Sequence, residues 1–309
     1  MDILVAGGSG FVGTNFIQYI LDKYTDYNIV NVDSLEHSKN NLKDEESKKY
    51  RFCQIDICNH DELLKLFKFW FGFDVIINLA DSNNGFSNIT GTHNLLEIAK
   101  KYKVKKFIQV STNEVYDVGS TSGSFGDYVR TISKEDDYVL PKDFYCASKA
   151  SCDLIALSYY SSFGVPVIVS RVCELYGLYQ TIDEFVPSVI TNLLSNKPVS
   201  YCQEITNNLI NVLDFCRALD SLMHYGATGQ IYNVCGSETY SELVVANTVM
   251  EIMGKNSSVL ERARDIKKNT PMMTCNKIAE MLQWKPLIEL RAGLDDSIEW
   301  YDSNREWWK

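Results

Sequence analysis

The sequence predicts an α/β fold, a doubly wound parallel sheet with a smaller, interrupted lobe toward its C-terminus, and three observations support it. Short apolar runs alternate with amphipathic segments of helical period through residues 1–171. A glycine-rich turn joins the first apolar run to the first amphipathic segment. Polar clusters follow the apolar runs, at the strand ends where parallel sheets bind their ligands.

In chain order the expected strands are 3–6, 29–32, 52–55, 75–79, 107–111 and 165–170, and the expected helices between them are 11–24, 60–71, 92–103 and 146–163. Beyond Arg171 the pattern loosens. Residues 172–208 and 237–309 read as a second lobe, interrupted by returns to the sheet at 209–218 and 230–234. Trp284, Lys285 and Pro286, with Trp300, Tyr301, Trp307 and Trp308, are expected to pack that lobe, because aromatics of this size bury large areas.

Composition narrows the function classes. The chain has 309 residues, 45% hydrophobic and 23% charged, which is ample for a packed core. A net charge of −10 argues against a nucleic-acid partner, since phosphate backbones select basic surfaces. The lysine-rich stretch 100–106 reads as a solvated helix end. Nine dispersed cysteines contain no CxxC pair, and His37, His60, His93 and His224 stand apart, so no metal is expected. The first strand begins at residue 3, leaving no room for a signal peptide, and no apolar run reaches membrane-spanning length. No membrane partner and a cytoplasmic location are therefore expected.

The turn Gly7-Gly8-Ser9-Gly10-Phe11-Val12-Gly13 lies between the first strand and the first helix. Gly7 permits a tight turn, Gly10 lets backbone amides approach a pyrophosphate, and Gly13 lets helix and strand pack closely. Asp33 ends the second strand 20 residues after Gly13, a spacing that suits a carboxylate on a ribose 2′-hydroxyl. A carboxylate repels a 2′-phosphate, and Ser34 follows where an NADP site favours Arg, so NAD is the expected cofactor. Asp56 and Ile57 close the third strand as an adenine-edge contact, or Asp56 caps the next helix. Leu79 and Ala80, ending the fourth strand, complete the expected cofactor set, and 1–171 reads as the NAD-binding domain.

Tyr145 and Lys149 stand four apart on an expected helix, so they share a face. A nearby ammonium and an oxidised nicotinamide lower a phenol's pKa and make phenolate a usable base for a sugar hydroxyl. The same spacing occurs on ordinary helix surfaces. Here it follows a strand ending in Ser111-Thr112-Asn113-Glu114-Val115-Tyr116, a polar cluster at the carboxyl edge of the sheet.

Together the glycine turn, the strand-end Ser-Thr-x-Glu-Val-Tyr and the Tyr-x-x-x-Lys resemble the extended short-chain dehydrogenase/reductases, whose nucleotide-binding half is Rossmann-type. Within them the sequence is most similar to the dTDP-glucose 4,6-dehydratases, nearly throughout its length. Asn88 through Thr92 matches the family's stretch before the fifth strand, Arg171 through Gln180 its substrate-diphosphate segment, and Trp284-Lys285-Pro286 and Glu299-Trp300-Tyr301 its closing helices. The resemblance implies a nucleotide-diphosphate sugar as substrate. It implies that Tyr145, helped by Thr112, deprotonates the C4 hydroxyl as hydride passes to NAD. Glu114 then removes the C5 proton, water leaves C6, and hydride returns there. Lys149 holds the nicotinamide ribose and tunes Tyr145. A homodimer through the helices near 92–103 and 146–163 is implied as well.

Three departures bear on activity. Asn113 stands where the family has the Asp that protonates the leaving water; an amide is no general acid, although it can orient a hydroxyl or a water. The loop from Leu79 to Asn88 is shorter than the family's, removing a wall of the substrate pocket. Asn207 replaces a diphosphate-binding Arg, and Glu174-Leu175 replaces two Asn; Arg264 and Lys267 fall where the family again uses basic residues. Asn88, Glu174, Asn207 and Arg264 are thus the expected substrate contacts. The leading reading is a 4,6-dehydratase-like enzyme with altered substrate choice. The alternatives are a 4-epimerase or oxidoreductase of the same superfamily, which has no need of Glu114 at C5, or a non-catalytic NAD-binding regulatory subunit.

Overall fold

A computed structural model describes residues 1–36, 38, 42, 49–116, 132–202, 205–256, 260–263 and 271–309. Seven strands form one parallel sheet: β1 (Asp2–Ala6), β2 (Asn28–Asp33), β3 (Tyr50–Gln54), β4 (Val75–Asn78), β5 (Lys106–Thr112), β6 (Val167–Val172) and, further along the chain, Gln230–Val234. Its spatial order is β3-β2-β1-β4-β5-β6 and then Gln230–Val234 at the edge, and every pairing is parallel. The order reverses between β1 and β4, the crevice where such sheets hold ligands.

Strand alternation builds a core on each face. Ile3 and Val5 point to one side, against Phe16 and Ile20 of α1 (Phe11–Lys23) and Phe215 and Leu222 of α6 (Val212–Tyr225). Leu4 and Ala6 point to the other, against Leu63 and Phe67 of α2 (His60–Trp70), Leu95 and Ala99 of α3 (Gly85–Tyr102), and Ala156 of α4 (Phe144–Phe163). Because both faces are covered, the strands read as continuous apolar runs. Truncating a fully buried Phe16 or Phe67 removes about 3–5 kcal/mol.

The second lobe has its own small sheet, β7 (Glu174–Tyr176), β8 (Thr206–Asn211) and β10 (Thr239–Ser241), with the returning strand Gln230–Val234 numbered β9 between them in the chain. Helices α5 (Phe185–Leu194), α7 (Glu242–Ile252) and α8 (Leu290–Ser303) pack there around Tyr176, Ile190, Val249, Leu294 and Tyr301.

Several expectations are corrected. Only 230–234 rejoins the main sheet; of 209–218, the first three residues belong to β8 of the small sheet and the rest to α6. Asn211 bends the chain there, its side chain accepting from Leu213 N to cap α6. Helix α3 starts at Gly85, not near 92. Two glycines and β-branched residues make 85–92 a poor helix in isolation, but Asn84 caps it and packing on α4 sustains it. Trp284 packs with the main core, whereas Trp300, Trp307 and Trp308 do join the second lobe. Lys106 is not solvated: it is half-buried and donates to the carbonyls of Leu222 and Gly226. All nine cysteines are free thiols. Among the described residues no group of His, Cys, Asp and Glu is arranged to hold a metal, and no helix is long and apolar enough to cross a membrane.

Candidate active site

A cleft of about 830 Å³ opens at the carboxyl ends of the strands, between the sheet and the second lobe. Its floor at one end is the glycine turn. Gly7 has φ +76°, and a Cβ there would meet Ala80 N at 2.6 Å. A Cβ on Gly13 would meet Gly7 O at 2.4 Å, so helix and turn touch backbone to backbone. Over Gly10 the space is open except for Gly7 O at 3.4 Å. Gly10 gives α1 no side-chain cap, and no acidic residue stands in its first turn, so the positive helix end is left to an anion. Phe11, Val12, Leu79 and Ala80 line the same end.

Asp33 is fixed at the rim of this cradle. Ser9 N donates to its Oδ2 at 3.0 Å, and Leu35 N and Ser38 Oγ donate to its Oδ1 at 2.8 and 3.0 Å. Asp56 also lines the cleft; it accepts from Cys58 N, and the cap of α2 is Asn59 instead. Ile57 is buried under Gly91 of α3, and Asn94 donates to its carbonyl. These contacts fit a dinucleotide: an uncapped helix end for the pyrophosphate and an anchored carboxylate for the ribose.

At the other end stand the candidate catalytic residues. Thr112 Oγ1 accepts from Glu114 N at 3.2 Å and donates to Asn113 Oδ1 at 3.3 Å, shaping a one-turn helix at 113–115. The cleft-lining Glu114 carboxyl is raised above the usual range by burial, reinforced by Asp143, Glu184 and Asp81. Tyr145 and Lys149 project from α4, which Asp143 caps by accepting from Cys146 N. A buried ion pair holds that helix on the sheet: Arg171 Nε of β6 meets Asp153 Oδ2 at 2.9 Å. Breaking it would cost about 3–5 kcal/mol. Arg171 therefore faces the core, although it opens the segment likened to a diphosphate site.

Tyr145 Oη donates to Asp81 Oδ2 at 2.7 Å, and Lys149 Nζ stands 3.7 Å from Asp81 Oδ1. Burial, then Asp81, pushes the Tyr145 phenol well above its ordinary range. Asn113 is buried, and its Nδ2 donates to Pro271 O at 2.6 Å, so its amide is committed to the backbone.

The substrate end is acidic. Glu174 Oε2 accepts from Asn207 Nδ2, so these two residues bind each other across β7 and β8. Burial, with Glu184 and Glu242 nearby, pushes Glu174 up to about 7. Asn88 lines the cleft but spends its amide on the loop after β4 and on α4: Nδ2 donates to Ser82 O and Ser148 Oγ, and Oδ1 accepts from Ser82 N. Arg264 and Lys267 lie outside the described residues. Sequence reasoning missed Asp81, Glu184 and Glu242. Asp81 carried a usable signal, an ionisable side chain just past a central strand's carboxyl end; the two glutamates carried none, since only tertiary packing brings them to the cleft.

Known proteins share this architecture. A dTDP-glucose 4,6-dehydratase of Salmonella typhimurium is 30% identical over 99% of this chain and 94% of its own. The crystal structure of dTDP-glucose 4,6-dehydratase from Bacillus anthracis in complex with NAD superposes with TM-score 0.92, at 33% identity over 100% of this chain and 98% of that one. UDP-glucuronic acid 4-epimerase from Bacillus cereus, in complex with UDP-glucuronic acid and NAD, follows at TM-score 0.86 and 25% identity, over 98% and 99%. Residues 3–235 match the pattern shared by one family, and the chain belongs to it: the NAD dependent epimerase/dehydratase family.

Proposed function

We propose that the chain is an NAD-dependent enzyme that dehydrates a nucleotide-diphosphate sugar in the manner of a 4,6-dehydratase. The observation that carries this reading is the convergence of Thr112, Glu114, Tyr145 and Lys149 on one cleft that also holds the dinucleotide cradle. NAD, when bound, accepts a hydride from the sugar and gives it back. The residues handle the protons. Tyr145 Oη receives the C4 hydroxyl proton with Thr112 orienting that hydroxyl, and Lys149 holds the nicotinamide ribose. Oxidation at C4 acidifies the C5 proton, which Glu114 takes; its raised carboxyl makes it a stronger base than an exposed one.

One observation favours a second reading, 4-epimerisation or simple oxidoreduction. The Asn113 amide is engaged with Pro271 O, so no acid stands at the position that would protonate a leaving hydroxyl. Glu114 opposes it, having no task without elimination. Incubation with NAD and dTDP-glucose, UDP-glucose or UDP-glucuronic acid separates the two: loss of one water, detected by mass, supports dehydration, and an isomer of unchanged mass supports epimerisation. No conversion of any nucleotide sugar would defeat both.

A homodimer belongs to the proposal. Phe86 of α3 and Phe144, Leu154 and Phe163 of α4 are exposed, an apolar set on two neighbouring helices suited to a second copy. Light scattering of the purified protein tests it. A cytoplasmic location is likewise proposed, on the free thiols alone.

A further inference from the structure

Asp81 lies in the loop between β4 and α3, and two sets of contacts fix it against the catalytic pair. The first is direct: Tyr145 Oη donates to Asp81 Oδ2 at 2.7 Å, and Lys149 Nζ is 3.7 Å from Oδ1. The second holds the loop itself. Asn88 accepts from Ser82 N at 2.8 Å and donates to Ser82 O at 2.9 Å, gripping the residue next to Asp81 on both sides. Asn88 also donates to Ser148 Oγ, and Ser148 donates to Tyr145 O at 2.7 Å. The start of α3 lies so close to α4 that a Cβ on Gly85 would meet Ser148 Cβ at 2.8 Å. The loop is thereby latched to the helix turn that carries Tyr145 and Lys149, and the carboxylate, although exposed to solvent on one side, is held against the phenol.

We propose that Asp81 is the proton acceptor behind Tyr145, so that the proton leaving the sugar hydroxyl is passed through the tyrosine to this carboxylate. The proposal rests on the oxidative reading given above. In the forward step the sugar O–H bond breaks and its proton bonds to Tyr145 Oη. The Tyr145 O–H bond breaks in concert, and that proton bonds to Asp81 Oδ2. The sugar carbinol is oxidised to a ketone as its hydride leaves to the nicotinamide, which is reduced. Return of the hydride to sugar regenerates the oxidant, and the carboxyl releases its proton afterwards. Tyr145 begins and ends as a neutral phenol. Asp81 acts through Tyr145 and is a positioning residue in that sense, with the added task of holding the proton.

Among the described residues the ionisable groups around this relay are few. Asp81 comes from the loop after β4, Glu114 from the turn after β5, and Cys146 and Lys149 from α4 itself. Asp143 and Glu184 face Glu114. The acidic neighbours oppose a phenolate at 145, and Lys149 is the cation beside the relay. A relay through Asp81 needs no phenolate, whereas a tyrosine acting alone must form one.

Two variants test the relay with two readouts that should move in opposite directions. Asp81→Ala leaves Tyr145 beside Lys149 without the carboxylate. Ultraviolet titration of the holoenzyme, taken as a difference against Tyr145→Phe, should show the Tyr145 phenolate forming at lower pH than in the parent, by about one unit or more. The acid limb of the kcat profile should move to higher pH, because activity would then wait for the phenolate. Asp81→Asn keeps the side chain's size but takes up no proton; kcat at neutral pH should fall by about 10²-fold or more with KM within about threefold of the parent. An unchanged phenolate titration in Asp81→Ala overturns the proposal even if no substrate is turned over, so its failure is distinct from failure of the oxidative reading. In an active enzyme, an unmoved acid limb, or an Asp81→Asn variant with parental kcat, overturns it too.

Discussion

Replacing Asn113 by aspartate puts a carboxyl into a setting that the structure makes hostile to it. The Asn113 amide donates to Pro271 O at 2.6 Å in a buried position. A carboxylate would set an acceptor against an acceptor there. Leaving such a group unsatisfied costs about 1–3 kcal/mol, or roughly 2–6 °C in Tm at about 2 °C per kcal/mol for a chain of this size. The sign with pH follows from the proton. Protonated, the new carboxyl can donate to Pro271 O, so its folded pKa lies above its unfolded value of about 4. The penalty is absent below about pH 4, grows as pH rises to the folded pKa, and stays constant beyond it. Thermal melts of Asn113→Asp and the parent across that range should therefore converge in acid and separate near neutrality. Dehydration should not speed up, because the carboxyl's one proton is held by Pro271. A variant as stable as the parent at neutral pH, and faster in releasing water by about 10²-fold, would refute the reasoning and place residue 113 at the leaving hydroxyl.

Three further outcomes follow from the same geometry. Asp33→Ala should narrow the preference for NAD over NADP by on the order of tenfold, since it removes both a ribose acceptor and a repulsive charge; tighter binding of NADP to the unmutated chain in a direct titration would contradict it. Tyr145→Phe should lower turnover by about 10²–10⁴-fold while Tm and NAD affinity stay near the parent's, because the hydroxyl's contact is with Asp81 at the cleft; a large loss of Tm would make it a packing residue. Glu174, held up to about 7, is neutral below that pH and anionic above it, so affinity for a nucleotide diphosphate should weaken as pH rises through about 7. Glu174→Gln should flatten that dependence in calorimetric titrations, and a flat parental profile would count against the assignment.

The cofactor half of the molecule was legible because its signals are local. A strand, a turn with glycines at 7, 10 and 13, a helix, and Asp33 at the next strand end are contiguous in sequence and adjacent in space. Tyr145 and Lys149 were legible for the same reason, one helix turn apart on α4. What escaped depends on long-range contacts. Residue 113 could be recognised as an amide but not as the donor to Pro271, 158 positions away. The early start of α3 follows from packing on α4, which no propensity of 85–92 encodes. The short apolar run at β8 fits either sheet, and pairing with β7 decides between them.

The loop after β4 and the acidic substrate end bear on one another. The loop is tied down by Asn88 and Ser148, and its one ionisable residue, Asp81, lands on the Tyr145 hydroxyl. On the far side, Glu174 is partnered by Asn207, and Glu184 and Glu242 raise it further. The described cations near this cleft do not redress that balance, since Arg171 is committed to Asp153 and Lys149 stands beside Asp81. A diphosphate entering here meets attraction at the α1 end and repulsion at the β7 end. Among the described residues no cationic clamp offsets that repulsion, so its strength follows the protonation of Glu174.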